Sequence, residues 1–229
     1  MNGNLSTRKI EGLYQTIFDL SEGLSTGLQN MVPLAKKMHL LSSNAVSSAA
    51  RAGSEGDAFR VLTQDIQLLG NDVTASIDDS QLLLSDLAIL AAELIRVFSN
   101  YVTFSDLAVS DANSLPEAQS TTADEQGQQA IVQEIFDRNK ELENKVELFT
   151  AILEPVNLLV KKGQYLVVFS SVEAANAGQH AERFEAVSSM LRTLVEQLGQ
   201  YFSSQYSLLR DLSDAIEKLN HHGKRLNII

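Results

Sequence analysis

The chain has no cysteine, no tryptophan and only three prolines in 229 residues. Without cysteine there is no disulfide framework and no thiolate metal site, which fits a reducing compartment. With so little proline, and with Leu, Ala, Ser, Glu and Gln abundant, long helices are favoured over a strand-and-turn design. Positive charge is also scarce: 18 Lys and Arg stand against 29 Asp and Glu, a formal net charge of −11. Nucleic-acid affinity comes largely from Lys and Arg that displace counterions from phosphates, so a direct DNA or RNA partner is set aside. Long apolar runs are missing too. The most apolar window, Leu82 to Phe98, contains Asp86, Glu93 and Arg96, and Met1 to Glu11 has no apolar stretch of the signal-peptide kind. No direct membrane insertion and a cytoplasmic location are therefore expected; the signalling fragment of a larger receptor is the alternative.

What the chain does have is periodicity. At 44% hydrophobic residues it can build a sizeable core. Ile10, Leu13, Ile17, Leu20, Leu24, Gly27, Met31, Leu34, Met38, Leu41 and Ala45 recur in alternating steps of three and four, as in a coiled-coil seam. After a break at Gly53 to Gly56 the alternation resumes at Phe59, Leu62, Ile66, Leu69, Val73, Ser76, Ser80, Leu83, Leu87, Leu90, Leu94 and Val97. Two long antiparallel helices joined by a tight turn satisfy both runs.

The pattern then repeats. A shift of 125 positions, without a gap, lays Ala49, Ala50, Ala52, Gly53 and Phe59 on Ala174, Ala175, Ala177, Gly178 and Phe184, and it keeps the seam in phase. The sequence therefore predicts an all-α protein with two tandem coiled-coil hairpins, residues 1–108 and 129–229, forming one elongated four-helix bundle. Its helices would be about 70 to 80 Å long at the α-helical rise. The first turn is placed at 53–56 and the second at 178–181. Residues 109–128 are polar, contain Pro116 and Gly127, lack an apolar period and read as the linker. Arg138 and Lys145 fall on seam positions of the second copy, which predicts a looser outer end there. Pro33 and Pro155 lie inside the arms, where a local distortion is expected. Because the second copy supplies the seam that one hairpin lacks, a monomer with pseudo-twofold symmetry is expected.

The residues around the turns carry a resemblance. Leu40 to Ile66 reads LLSSNAVSSAARAGSEGDAFRVLTQDI, and this stretch resembles the hairpin tip of the cytoplasmic signalling domain of methyl-accepting chemotaxis proteins. It keeps Asn44, the run Ala49 to Gly53, Gly56, Phe59 and Val61. The second copy, Phe169 to Val187, keeps Glu173, Ala174, Ala175, Ala177, Gly178 and Phe184. The resemblance covers about thirty residues per copy. It implies a non-enzymatic signalling protein that mimics a receptor-dimer tip and binds chemoreceptors, the chemotaxis coupling protein or the histidine kinase. In the family the motif's Asn, Glu and Arg make tip contacts. Here the first copy has Asn44 and Arg51 but Ser48 at the Glu position, and the second has Glu173 but Phe169 and Asn176 at the other two. Neither copy carries the full set. That departure supports an alternative, a structural or adaptor bundle of receptor ancestry acting outside chemotaxis. Family methylation sites lie far from the tip, beyond the reach of these arms, and Glu196-Gln197 reads as a solvated face.

No phosphate loop, nucleophile elbow or paired metal-ligand spacing occurs, and His39, His180, His221 and His222 are scattered. No catalytic residue, cofactor or metal is expected. The candidate partner surface comprises Leu40, Asn44, Arg51, Val61, Tyr165, Glu173, Asn176 and Ala186, with Gly53, Gly56 and Gly178 making the turns. Lys36-Lys37 and Lys161-Lys162 coincide under the same shift and form a possible basic flank for an acidic partner.

Overall fold

The computed structural model describes residues 2–112 and 122–225, and every long element in it is a helix. In chain order these are α1 (Asn2–Gln29), α2 (Val32–Arg51), α3 (Asp57–Ala112), α4 (Thr122–Asn176) and α5 (Ala181–Arg225). Short 3-10 turns, Gly53–Gly56 and Gly178–His180, join α2 to α3 and α4 to α5. The protein is an all-α bundle of long helices.

Its helices divide into two compact units, and the units do not coincide with the two sequence repeats. The first takes Met1–Leu24, Leu83–Leu148 and Leu208–Ile229; the second takes Ser25–Leu82 and Phe149–Ser207. Each unit therefore draws on both hairpins. The expected linker, 109–128, is shorter than its composition suggested. Helix α3 continues to Ala112 and α4 begins at Thr122, while 113–121 lie outside the described residues. Its Ser, Asp, Glu and Gln residues are tolerable in a helix, and Gly127 costs only about 1 kcal/mol there.

In the first unit Ile10, Tyr14, Ile17, Leu87, Leu94, Phe98, Ile135, Leu142, Leu212 and Leu219 are buried together with their neighbours. At its centre the Asn139 amide donates to the Tyr14 hydroxyl at 2.9 Å, and Tyr14 packs on Phe98 with ring centroids 5.4 Å apart. Burial pushes the Tyr14 hydroxyl's pKa up, and the Asn139 hydrogen bond only partly offsets this. Along the side of the same unit, Lys145 meets Asp86 at 3.2 Å, while Arg138 pairs with Glu93 and, at 3.0 Å, with Glu134.

These ion pairs correct the expected seam. Arg138 and Lys145 do not interrupt the core, because the buried positions are the next ones along, Asn139 and Val146. The same offset holds in the first hairpin. Tyr14, Ser21 and Leu28 are buried, whereas Leu13, Leu20 and Gly27 are only partly covered. The heptad core alternates 10, 14, 17, 21, 24, 28, one step from the expected seam at Tyr14, Ser21 and Leu28, where Leu13, Leu20 and Gly27 also fit the three-four spacing. Farther along α2, Leu34 and Leu41 are buried as expected, with Ala35 and Ser42 beside them. In α3 the single slip is Ser76, whose place in the core Ile77 takes.

In the second unit Met38, Leu41, Leu62, Ile66, Leu69, Phe149, Val156, Leu191 and Leu198 line the interior. Close approaches there depend on missing side chains. A Cβ on Gly27 would lie 1.8 Å from the Gln205 amide nitrogen, and one on Gly163 would lie 2.8 Å from Val195 and 3.3 Å from Leu69. The two prolines behave differently. Pro33 cannot donate to the carbonyl of Gln29, and the helix breaks just before it at Asn30 and Met31, with the Met31 amide turned back to Leu28 at 3.0 Å. Pro155 is carried inside α4, between the buried residues Leu153 and Val156.

Candidate partner-binding tip

Both turns end a helix on a glycine with positive φ: 60° at Gly53 and 52° at Gly178. This left-handed conformation closes the last helical turn and suits glycine because a Cβ there strains the backbone. The alanine before each glycine donates to the carbonyl three residues back, Ala52 to Ala49 at 3.1 Å and Ala177 to Ala174 at 3.3 Å. Gly56 is needed for space. A Cβ on it would sit 2.3 Å from the Ala49 carbonyl oxygen.

Directly after the turns, Phe59 and Phe184 lie face to face, with ring centroids 4.0 Å apart and planes 7° from parallel. Both are fully buried. They are 125 residues apart, as are Tyr14 and Asn139, so in each unit the same position of the two repeats meets across the core.

Around this packed centre the candidate contact residues point outward. Leu40, Asn44, Arg51 and Val61 are exposed in the first copy; Tyr165, Asn176 and Ala186 are exposed in the second, where Glu173 is half-buried. The split of the Asn, Glu and Arg set between copies persists in three dimensions. The lysine pairs, alike in sequence, differ in setting. Lys162 bonds Asp72 across to α3 at 3.3 Å, whereas Lys36 and Lys37 are exposed and make no ion pair among the described residues. The shift that carries Lys37 to Lys162 carries Asp72 to Gln197, which removes the equivalent acid.

Of an apolar stripe on the outside of α4, the sequence reading placed only Tyr165 on the contact surface. Tyr165, Val168, Phe169 and Val172 are all exposed, and the Tyr165 and Phe169 rings stack with centroids 6.3 Å apart. Their spacing of three and four was the available signal. It was masked because the buried stripe of the same helix shows the same period one step away.

A hollow of about 960 Å³ between α4 and α5 is an open groove lined by Glu154, Asn157, Gln164, Gln200, Ser203 and Tyr206 among others. Burial, and then the charge of Glu154, raises the pKa of the Tyr206 hydroxyl there. Among the described residues no three His, Asp or Glu side chains are grouped to hold a metal, and no helix is long and apolar enough to cross a membrane.

The chain is similar to a chemoreceptor. It is 26% identical, over 171 residues, to the methyl-accepting chemotaxis protein CtpH of Pseudomonas aeruginosa, an alignment covering 72% of this chain and 27% of that protein. The chain thus spans about a quarter of the receptor's length. No protein-family model and no solved structure matches it. The similarity is distant, and the all-helical bundle is compatible with it.

Proposed function

We propose that this protein acts by binding rather than by catalysis, and that it reproduces within one chain the tip that a chemoreceptor makes from two. The observation that carries the reading is the stack of Phe59 on Phe184. In a symmetric dimer, a residue on the twofold axis meets its own copy. Here the residue that follows each turn meets its counterpart from the other repeat, so the second hairpin stands where a second subunit would. Together with the similarity to CtpH, this makes the cytoplasmic proteins of a chemotaxis array the proposed partners: a receptor, the coupling protein or the histidine kinase. No cofactor enters this role.

A second reading, an adaptor of receptor ancestry acting outside chemotaxis, is favoured by one observation. Asn44 and Arg51 are presented by one copy and Glu173 by the other, with Phe169 and Asn176 in the vacated places. The two readings separate in a titration of the purified chain, by calorimetry, against the coupling protein, the kinase and a receptor signalling domain from the same cells. Saturable binding to at least one of them, lost in the double variant Val61→Asp, Ala186→Asp while helicity is kept, is the expected result. Absence of binding to all three overturns the chemotaxis reading and leaves the adaptor.

A further inference from the structure

Charge on this molecule is unevenly placed around α2. The chain carries 29 acidic residues, yet none falls between Glu22 and Glu55, a stretch that includes all of α2 and its basic residues Lys36, Lys37 and Arg51. The equivalent stretch of the second repeat, 148–179, contains Glu154 and Glu173. On α2 the residues Lys36, Lys37, Leu40, Asn44, Ser47 and Arg51 are all exposed, and their spacing of three, four and seven sets them along one side of the helix. Leu40, 65% exposed, stands inside this row. From Lys36 to Arg51 the row is about 22 Å long at the helical rise.

Two features separate this face from an ordinary solvated surface. Lys36, Lys37 and Arg51 make no ion pair among the described residues, although acids are plentiful on the molecule, and the one exposed leucine in the row lies four residues from Lys36. The matching face on α4 has changed character: Lys162 is taken up by Asp72, and Tyr165, Phe169 and Val172 replace Leu40, Asn44 and Ser47. A strictly twofold receptor dimer would present either face twice. This chain presents each once.

We infer that the outer face of α2 is a docking surface for an acidic amphipathic helix of a partner protein, bound once per chain. Carboxylates spaced one turn apart on such a helix meet Lys36, Lys37 and Arg51, and an apolar residue between them covers Leu40. The complementary charge argues for this occupant. A net charge of −11 opposes an extended polyanion such as a membrane surface or a nucleic acid, which would have to lie along the acidic remainder of the molecule. A single helix about 22 Å long touches the basic row alone. The inference rests on the proposed partner-binding role and specifies the chemistry of one contact.

The test uses the full-length chain with two labelled synthetic helical peptides, one carrying a leucine stripe flanked by glutamates and the other the same stripe flanked by lysines. Fluorescence anisotropy at low and at high salt reads binding. The acidic peptide is expected to bind one per chain and to weaken with added salt. The triple variant Lys36→Glu, Lys37→Glu, Arg51→Glu should lose about tenfold or more in affinity. A control with the same change in net charge, Lys140→Glu, Arg210→Glu, Lys218→Glu, should bind nearly as wild type does, and Leu40→Ser should weaken binding without changing its salt dependence. Equal affinity of wild type and the α2 triple variant overturns the proposal. So does equal binding of the two peptides, or tighter binding, through the same lysines, of phosphatidylserine vesicles or duplex DNA. Circular dichroism of each variant keeps misfolding from passing as lost binding. Because no chemotaxis protein is in this assay, its failure leaves the array-binding reading standing, to be judged by its own titration.

Discussion

Phe59 and Tyr165 are both large and aromatic, and both belong to the region of the turns, yet they are predicted to respond oppositely to truncation. Phe59 is fully buried against Phe184, so Phe59→Ala removes its transfer energy and leaves a cavity, a loss of about 3 to 5 kcal/mol. Tyr165 is 67% exposed, and Tyr165→Ala should alter stability by no more than about 0.5 kcal/mol. Chemical denaturation of the two variants checks the contrast; equal losses would place the core stripe of one helix on the wrong side. At this scale the sequence was readable at most apolar core positions, though Leu28, Ile77 and Val146 were missed by one step. Ile10, Ile17, Phe59 and Leu62 stood out, whereas Tyr14, Ser21 and Asn139 did not, because their polar atoms look like surface until a partner is found. Tyr14 and Asn139 bond each other, and Ser21 donates to the Ile17 carbonyl at 2.7 Å. Polar satisfaction of this kind depends on three-dimensional neighbours that no single-residue scale contains.

Helices and turns were more legible than residues, because each is fixed by many weak signals that agree. The two glycine turns could be placed from the run of small residues that ends in Gly53 and Gly178, and the structure attaches separate reasons to separate glycines. Gly53 needs its positive φ but has open space around it, so Gly53→Ala should cost about 1 to 2 kcal/mol. Gly56 faces the Ala49 carbonyl oxygen at a distance no Cβ can accept, so Gly56→Ala must open the turn and should cost more. Gly12, exposed on α1 with nothing near it, should show the opposite sign, since Gly12→Ala gains about 0.5 to 1 kcal/mol of helix propensity. Thermal unfolding should rank Gly12→Ala most stable, then Gly53→Ala, then Gly56→Ala, and a stabilised Gly56→Ala would contradict the close approach. The helix break ahead of Pro33 was less predictable than the turns. Proline permits either a break or a carried-through helix, and Pro33 and Pro155 took one outcome each.

For the whole molecule, the repeat was visible in the sequence but the partition into compact units was not. Sequence similarity follows the order of residues along the chain, whereas compactness follows which segments lie side by side, and antiparallel hairpins set early residues beside late ones. Leu24 and Leu208 thus belong to one unit, while Ser25 and Ser207 belong to the other. With both hairpins supplied by one chain, light scattering should give a monomer of 25.1 kDa. An obligate dimer, in which each chain contributes one open hairpin, would contradict the intrachain pairing of Phe59 with Phe184.

The Tyr14–Asn139 pair has a consequence during synthesis. The ribosome releases the first hairpin before the second exists, at roughly 5 to 20 residues per second, so for several seconds a half-made chain displays an uncovered seam. The nearest complement is then another first hairpin on a neighbouring ribosome. Such a like-with-like match would bring Tyr14 against Tyr14, where only one hydroxyl can donate to the other and the second proton loses the acceptor that the Asn139 side chain offers. The completed chain brings Asn139 instead. A duplicated protein whose halves differ at this buried position thereby favours the half still to be made over the one already waiting next door.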